Sequence, residues 1–168
     1  MTFEMIQAGD RVFVDANIFL YHFGEASAEC KTFLTRCSNR EILGYTSTSV
    51  LAEVLHRAML IEAVKKGYIS ARNPVQQLKK HPDMITQLSQ YTIDVDNIFE
   101  MEITILALTK ACLETSRKVR QTEGLLTNDS LLAATLKNAG ISKLATHDND
   151  FDHISWLEIY KPTDVRPS

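Results

Sequence analysis

Short apolar runs alternate with helix-length patterns along this chain, and that alternation limits its fold more than any other feature. Residues 11–15, 43–45, 102–107, 143–145 and 156–159 are each rich in apolar residues, and the continuous runs fit strands buried on both faces. Between them, residues 25–37 place Ala26, Cys30, Phe33, Leu34 and Cys37 on one helical face. Residues 47–66 carry the longest stripe: Val50, Leu51, Val54, Leu55, Ala58 and Ile61. Residues 108–123 and 129–139 are two more helical patterns, and Gly140 stands where a helix-closing glycine belongs. Strands alternating with helices predict an α/β fold with a five-stranded, mostly parallel sheet covered on both faces.

One stretch interrupts the alternation. Residues 67–100 contain Asn73-Pro74 and His81-Pro82, each proline opening a short helical pattern, at 75–80 and 83–91. This reads as a helical insertion too short for a core of its own, within a single domain spanning residues 1–168. Residues 161–168 read as a loose C-terminal tail.

The net charge of −3 excludes a generic basic nucleic-acid binder, although bound divalent cations would change the sign locally. Three cysteines, Cys30, Cys37 and Cys112, without CxxC spacing argue against a disulfide framework or a zinc site. They fit buried small apolar residues in a reducing cytoplasm. Met1-Thr2-Phe3-Glu4 opens no secretory pattern, and no apolar run approaches the ~20 residues of a membrane helix. A cytoplasmic protein without a membrane anchor is expected.

The carboxylates are the informative residues. In "RVFVDANIFLYHF", residues 11–23, a buried strand stops on Asp15. Ligands of open parallel sheets bind outside the carboxyl ends of the strands, and Asp15 lies there. Asp148 follows the fourth strand in "KLATHDNDF", residues 143–151, so it faces the same edge, with Asp150 close by. Asp129 falls in the first turn of the helix in "LLTNDSLLAATLKNAG", with Thr127 or Asn128 as its cap. Glu53, in "TSTSVLAEVLHRA", sits among Val50, Leu51, Ala52, Val54 and Leu55, an apolar setting.

Singly, three of these acids have ordinary readings. Asp129 suits a helix dipole, Asp148 a turn, and Glu53 an i,i+4 pair with Arg57. Asp15 does not, because a carboxylate at a buried strand end is costly without compensation. Together the four acids are expected to converge on one edge, strained unless cations neutralise them. Oxygen-only donors point to Mg²⁺ or Mn²⁺ rather than zinc. Two such ions about 3.5–4 Å apart activate water and stabilise the leaving oxygen of a phosphodiester.

With "FVDANIFLY", "SVLAEVLHR", "LLTNDSLLAATLKNAGI" and "KLATHDNDF" in this order, the chain resembles the PIN-domain family of metal-dependent ribonucleases, which includes the VapC-type toxins of toxin–antitoxin pairs. The resemblance runs from about residue 11 to 162. It implies a three-layer α/β/α PIN-like fold and a Mg²⁺- or Mn²⁺-dependent endoribonuclease acting on RNA. It also implies an antitoxin partner, contacting the first helices and the insertion, and a homodimer. Carried over position by position, it implies that Asp15, Glu53, Asp129 and Asp148 are the catalytic, metal-holding acids. Asp150 is the alternative to Asp148. Asn17 matches a polar residue near the first acid, and Ser47 a Ser/Thr position at the start of the glutamate's helix. The insertion is longer than in the smallest toxins, which leaves a stand-alone RNA-processing enzyme open.

Lys65, Lys66, Arg72, Lys79 and Lys80, and Lys110, Arg117, Lys118 and Arg120, offer charge for an RNA backbone or are simply solvated faces. Tyr21, Phe23 and Tyr68 are candidates for base stacking, and His147 for a phosphate contact, with packing roles as the alternatives. Two other functions compete. A haloacid-dehalogenase-like phosphatase would use Asp15 as nucleophile, but "DAN" replaces the DxD it needs. A non-catalytic RNA- or protein-binding module would not need the four acids.

Overall fold

The computed structural model describes residues 1–165. Five strands, β1 (Arg11–Val14), β2 (Leu43–Ser47), β3 (Thr104–Leu106), β4 (Lys143–Ala145) and β5 (Glu158–Tyr160), form one sheet in the order β3-β2-β1-β4-β5. Every pairing is parallel. The helices are α1 (Ala16–Phe23), α2 (Ala28–Ser38), α3 (Thr48–Lys65), α4 (Pro74–Leu78), α5 (Pro82–Ile85), α6 (Gln90–Glu100), α7 (Lys110–Glu123) and α8 (Thr127–Ala139). The right-handed crossover rule puts α1–α6 over one face and α7 and α8 over the other. The packing agrees: α3 touches α1 and α6, and α7 lies against α8. Among the described residues no helix is long and apolar enough to cross a membrane.

The core follows from β1. Val12, Phe13 and Val14 are fully buried, each contributing ~1.5–3 kcal/mol. The chain runs outward from β1 through β2 to β3, then returns to place β4 on the other side of β1. The sheet therefore reverses direction between β1 and β4, and their carboxyl ends frame the crevice where such folds bind ligands.

Several expected boundaries shift, each for a local reason. The apolar run after Asp15 is helical: α1 starts at Ala16 because the Asp15 carboxylate accepts from the Ala16 N–H, and its first five residues are buried all round, so it shows no stripe. Glu25 has φ 54°, which delays α2 until Ser27 caps it. The expected helix over 83–91 divides into α5 and α6. The break follows from Glu62 on α3, whose carboxylate accepts from Ser89 N (3.0 Å) and Tyr91 N (3.1 Å) and starts a new helix there. Strand β3 is a three-residue edge with Thr104 and Ile105 exposed, not a strand covered on both faces. Strand β5 lies further along than the expected 156–159.

Residues 67–100 pack on the far end of α3 through a small cluster of Ala63, Ile69, Leu78 and Leu88. The tail is not loose as far as Asp164. Its carboxylate accepts from Ser27 Oγ (2.5 Å) and Ala28 N (2.7 Å), while Glu29 accepts from Thr163 N (2.8 Å). Residues 166–168 lie outside the described residues.

Candidate active site

The crevice at the β1–β4 reversal is a recess of about 600 Å³ lined by Asp15, Asn17, Glu53, Asp129 and Asp148, with Leu108 and Phe151 among its apolar walls. Each acid arrives on a different element. Asp15 ends β1, Glu53 lies on α3, Asp129 in the first turn of α8, and Asp148 in the loop after β4. Sheet topology alone brings these distant positions together.

Asp15 is the anchor, only 7% exposed. Its Oδ1 accepts from Ala16 N (2.7 Å), and its Oδ2 from Asn17 Nδ2 (2.8 Å) and Thr146 Oγ1 (2.6 Å). The Thr146 hydroxyl accepts from Asp148 N (3.0 Å) and Asn17 Nδ2 (3.2 Å), so its own proton goes to Asp15. Oδ2 thus has both lone pairs engaged, and Asp15 keeps one free lone pair, on Oδ1, for any further partner. Asn17 Oδ1 accepts from His147 N (3.1 Å), tying the start of α1 to the loop after β4.

The charges register one another. Burial lifts the Asp15 carboxyl from 3.8 to about 6, the Thr146 and Ala16 hydrogen bonds oppose the rise, and Glu53 and Asp148 add to it. Burial also raises Asp129, helped by Asp148, Asp150 and Glu53. Carboxyls raised by burial and by shared acidic neighbours mark a site that favours a cation. Yet no three His, Cys, Asp or Glu side chains among the described residues stand close enough to enclose a metal ion on their own. The expected convergence is corrected to that extent: the acids share a recess without closing on one point. Mg²⁺ suits such a setting, since it commonly keeps several waters and takes one or two carboxylates plus substrate phosphates.

Two other expectations change. Glu53 is not in an apolar setting: its side chain is 44% exposed and pairs with Arg57 at 3.2 Å, because the apolar stripe of α3 faces the other way. Neither Thr127 nor Asn128 caps α8, where Leu126 takes the cap position without a side-chain hydrogen bond. Ser47 is fully buried and caps α3 through Val50 N, so it shapes the helix start, while Thr48 and Ser49 line the recess. Asp150 faces an adjoining recess, and its N–H donates to Asp148 Oδ1 (2.9 Å).

Thr146 is the residue whose place the spacing did not reveal, and of Arg57 the spacing gave the i,i+4 pair with Glu53 but not its position on the recess. Thr146 stands two positions before Asp148 in "ATHDND", the only hint in the sequence. Arg57 lines the recess on α3, one turn beyond Glu53. Of the basic clusters, Lys66 pairs with Glu62, Lys110 with Glu114, and Arg120 turns in to Ser116 and Ser130. The three cysteines are unpaired and buried.

A PIN-domain family model matches residues 12–157. Ribonuclease VapC2 of Methanocaldococcus jannaschii is 31% identical over 152 residues, covering 89% of this chain and 93% of the relative. The Mycobacterium tuberculosis VapC20 structure, described as a sarcin–ricin loop cleaving toxin, superposes with a TM-score of 0.54 at 16% identity, over 93% of this chain and 99% of that one. A toxin–antitoxin complex from Klebsiella pneumoniae gives a TM-score of 0.51 at 18% identity, over 88% and 95%. The solved structures share the fold, and the VapC2 relative shares sequence along nearly its whole length.

Proposed function

The chain belongs to the PIN-domain family, and on that premise we propose that it is a metal-dependent endoribonuclease and the toxin of a toxin–antitoxin pair. The observation that carries the reading is the set of Asp15, Glu53, Asp129 and Asp148 around one recess at the β1–β4 reversal. Their oxygen-only donor set suits Mg²⁺ or Mn²⁺, which one or two of Asp15, Asp129, Asp148 and Glu53 would bind directly and the others through its waters. Such an ion would supply an activated water and neutralise charge developing on the phosphodiester.

The chain's own residues do the rest. Thr146 and Asn17 fix the Asp15 carboxylate and limit it to one-oxygen coordination. Asp148 is held by its N–H on Thr146, and Asp150 holds Asp148 in turn. No covalent intermediate is proposed. Asp15, the nucleophile of the phosphatase reading, has three donors on its two oxygens and Asn rather than Asp at position 17. Ser47 is buried at a helix cap.

The partners belong to the same proposal. Between α1, α3 and α6 runs a groove of about 310 Å³ lined by apolar Leu20, Phe23, Ala58 and Ile61 and by charged Lys65 and Asp94, suited to an amphipathic antitoxin segment. A homodimer is supported by the exposed apolar residues Ile105 on the β3 edge, Leu108 just after it and Leu113 on α7. The unpaired, buried cysteines agree with a cytoplasmic setting.

The test is cleavage of labelled single-stranded RNAs with Mg²⁺ or Mn²⁺ and with EDTA, beside Asp15→Asn and Asp129→Asn. Metal-dependent cutting lost in both variants is the expected result. No cutting, together with no metal binding by calorimetry, overturns the catalytic reading in favour of a binding module.

A further inference from the structure

A second recess of about 360 Å³ adjoins the acids, lined by Asn17, Tyr21, Arg57, His147, Asp148 and Asn149 among others. It shares Asn17, Arg57 and Asp148 with the carboxylate recess, so the two are continuous across that ridge. Three features distinguish it. Tyr21 and His147 form an edge-to-face pair, 5.6 Å between ring centres at 81°. His147 is exposed and Tyr21 half-buried, so both rings present surface to the recess they line. Arg57 is the only Lys or Arg among the residues lining either recess.

The recess is braced. Asn17 Oδ1 holds the His147 N–H, and Lys161 Nζ grips Asn149 (2.7 Å) and Asp152 (2.8 Å), fixing the loop that carries His147. Arg57, by contrast, is weakly committed. One of its five donors meets Glu53 at 3.2 Å in a pair whose two side chains are each 44% exposed, a contact a phosphate displaces readily. Guanidinium forks suit phosphate, and aromatic rings suit the faces of unstacked bases in single-stranded RNA.

We propose that this recess is a nucleotide subsite, in which the exposed His147 ring stacks the base beside the scissile phosphate, Tyr21 supports that ring edge-on, and Arg57 holds that nucleotide's phosphate. The assignment rests on the ribonuclease reading and adds where the substrate strand runs and what selects it. Arg57 leaves Glu53 as the strand enters, which frees Glu53 for the carboxylate cluster.

The test titrates the full chain in Mg²⁺ buffer with the four nucleoside 5′-monophosphates, ribose 5-phosphate and inorganic phosphate. Binding is followed by calorimetry and by the ring resonances of Tyr21 and His147. At least one nucleotide is expected to bind about fivefold or more tightly than ribose 5-phosphate, the lower end of what base–aromatic stacking contributes. Ring resonances are expected to move only with base-bearing ligands. His147→Ala and Tyr21→Leu should each erase that margin and leave ribose 5-phosphate binding intact. Arg57→Gln should weaken all three phosphate classes, with partial recovery in Arg57→Lys. Should Tyr21→Leu not fold, His147→Ala on its exposed loop decides alone. Equal binding of nucleotides and ribose 5-phosphate, or an undiminished margin in His147→Ala, overturns the subsite. If wild type shows that result while still cutting RNA, only the subsite falls. If it neither cuts RNA nor binds metal, the ribonuclease reading falls with it.

Discussion

Asp15→Asn is expected to make the metal-free protein more stable while abolishing its activity. Burial is the largest influence on the Asp15 carboxyl, and it outweighs the Thr146 and Ala16 hydrogen bonds to raise the pKa from 3.8 to about 6. At about 1.36 kcal/mol per pKa unit, that rise is worth ~3 kcal/mol as an upper figure. The sign is destabilising. The unfolded carboxyl ionises near pH ~4 and the folded one near 6, so the cost is absent below the first, grows between them and is complete above the second. Asparagine has no charge to desolvate, but its amide replaces one accepting oxygen and forfeits a hydrogen bond worth ~1 kcal/mol. The net gain is ~1–2 kcal/mol at about pH 8, turning to a loss of ~1 kcal/mol at about pH 4. Urea unfolding in EDTA at both pH values measures it. Added Mg²⁺ should then raise the stability of wild type and not of the variant. A variant less stable than wild type at the higher pH, in EDTA, would refute the idea that Asp15 is held at a cost for its chemistry.

Three further outcomes follow from the same geometry. Burial raises Glu62, but the Lys66 ammonium and the N–H groups of Ser89 and Tyr91 outweigh it and hold the carboxyl at about 2. Its stabilisation is present above about pH 4.5 and is lost as pH falls toward 2. Glu62→Gln should therefore flatten the acid limb of unfolding, cost ~1–3 kcal/mol at neutral pH, and speed amide exchange at the start of α6. A Cβ at Gly44 would stand 3.0 Å from the Ile103 side chain and 3.3 Å from Cys37, so Gly44→Ala should lower stability by ~1–3 kcal/mol in a thermal scan. Asp164→Ala removes the carboxylate that receives Ala28 N and Ser27 Oγ, and should cost ~0.5–2 kcal/mol and loosen the start of α2 by hydrogen exchange.

Much of the site was legible because its acids break local rules. Asp15 stood out as a charge at the end of a run that is fully buried in the fold. Asp148 and Asp129 followed from strand and helix ends, and all line one recess with Asp15. Glu53 falls on the helix its neighbours predict, but an apolar neighbourhood in sequence says little about which face of a helix a residue occupies. Helix α1 leaves no periodic signal in the sequence, because a segment buried all round has no polar face. The split between α5 and α6 depends on Glu62, some 27 residues earlier in the chain, and no local pattern encodes it. The tail's docking onto α2 is a contact across more than a hundred residues, and is equally invisible locally.

The strand–helix alternation, the parallel sheet it requires and the elements that carry the acids are all readable along the chain, because periodicity and strand ends are local properties. The rest emerges only on folding: β4 returns beside β1, Thr146 donates to Asp15, Arg57 lines both recesses, and a ring pair lies next to the acids. Those facts join residues as much as 131 positions apart. They arise from the order in which strands pair and from the desolvation of a carboxylate inside a packed core, and neither is a property of any short stretch of sequence.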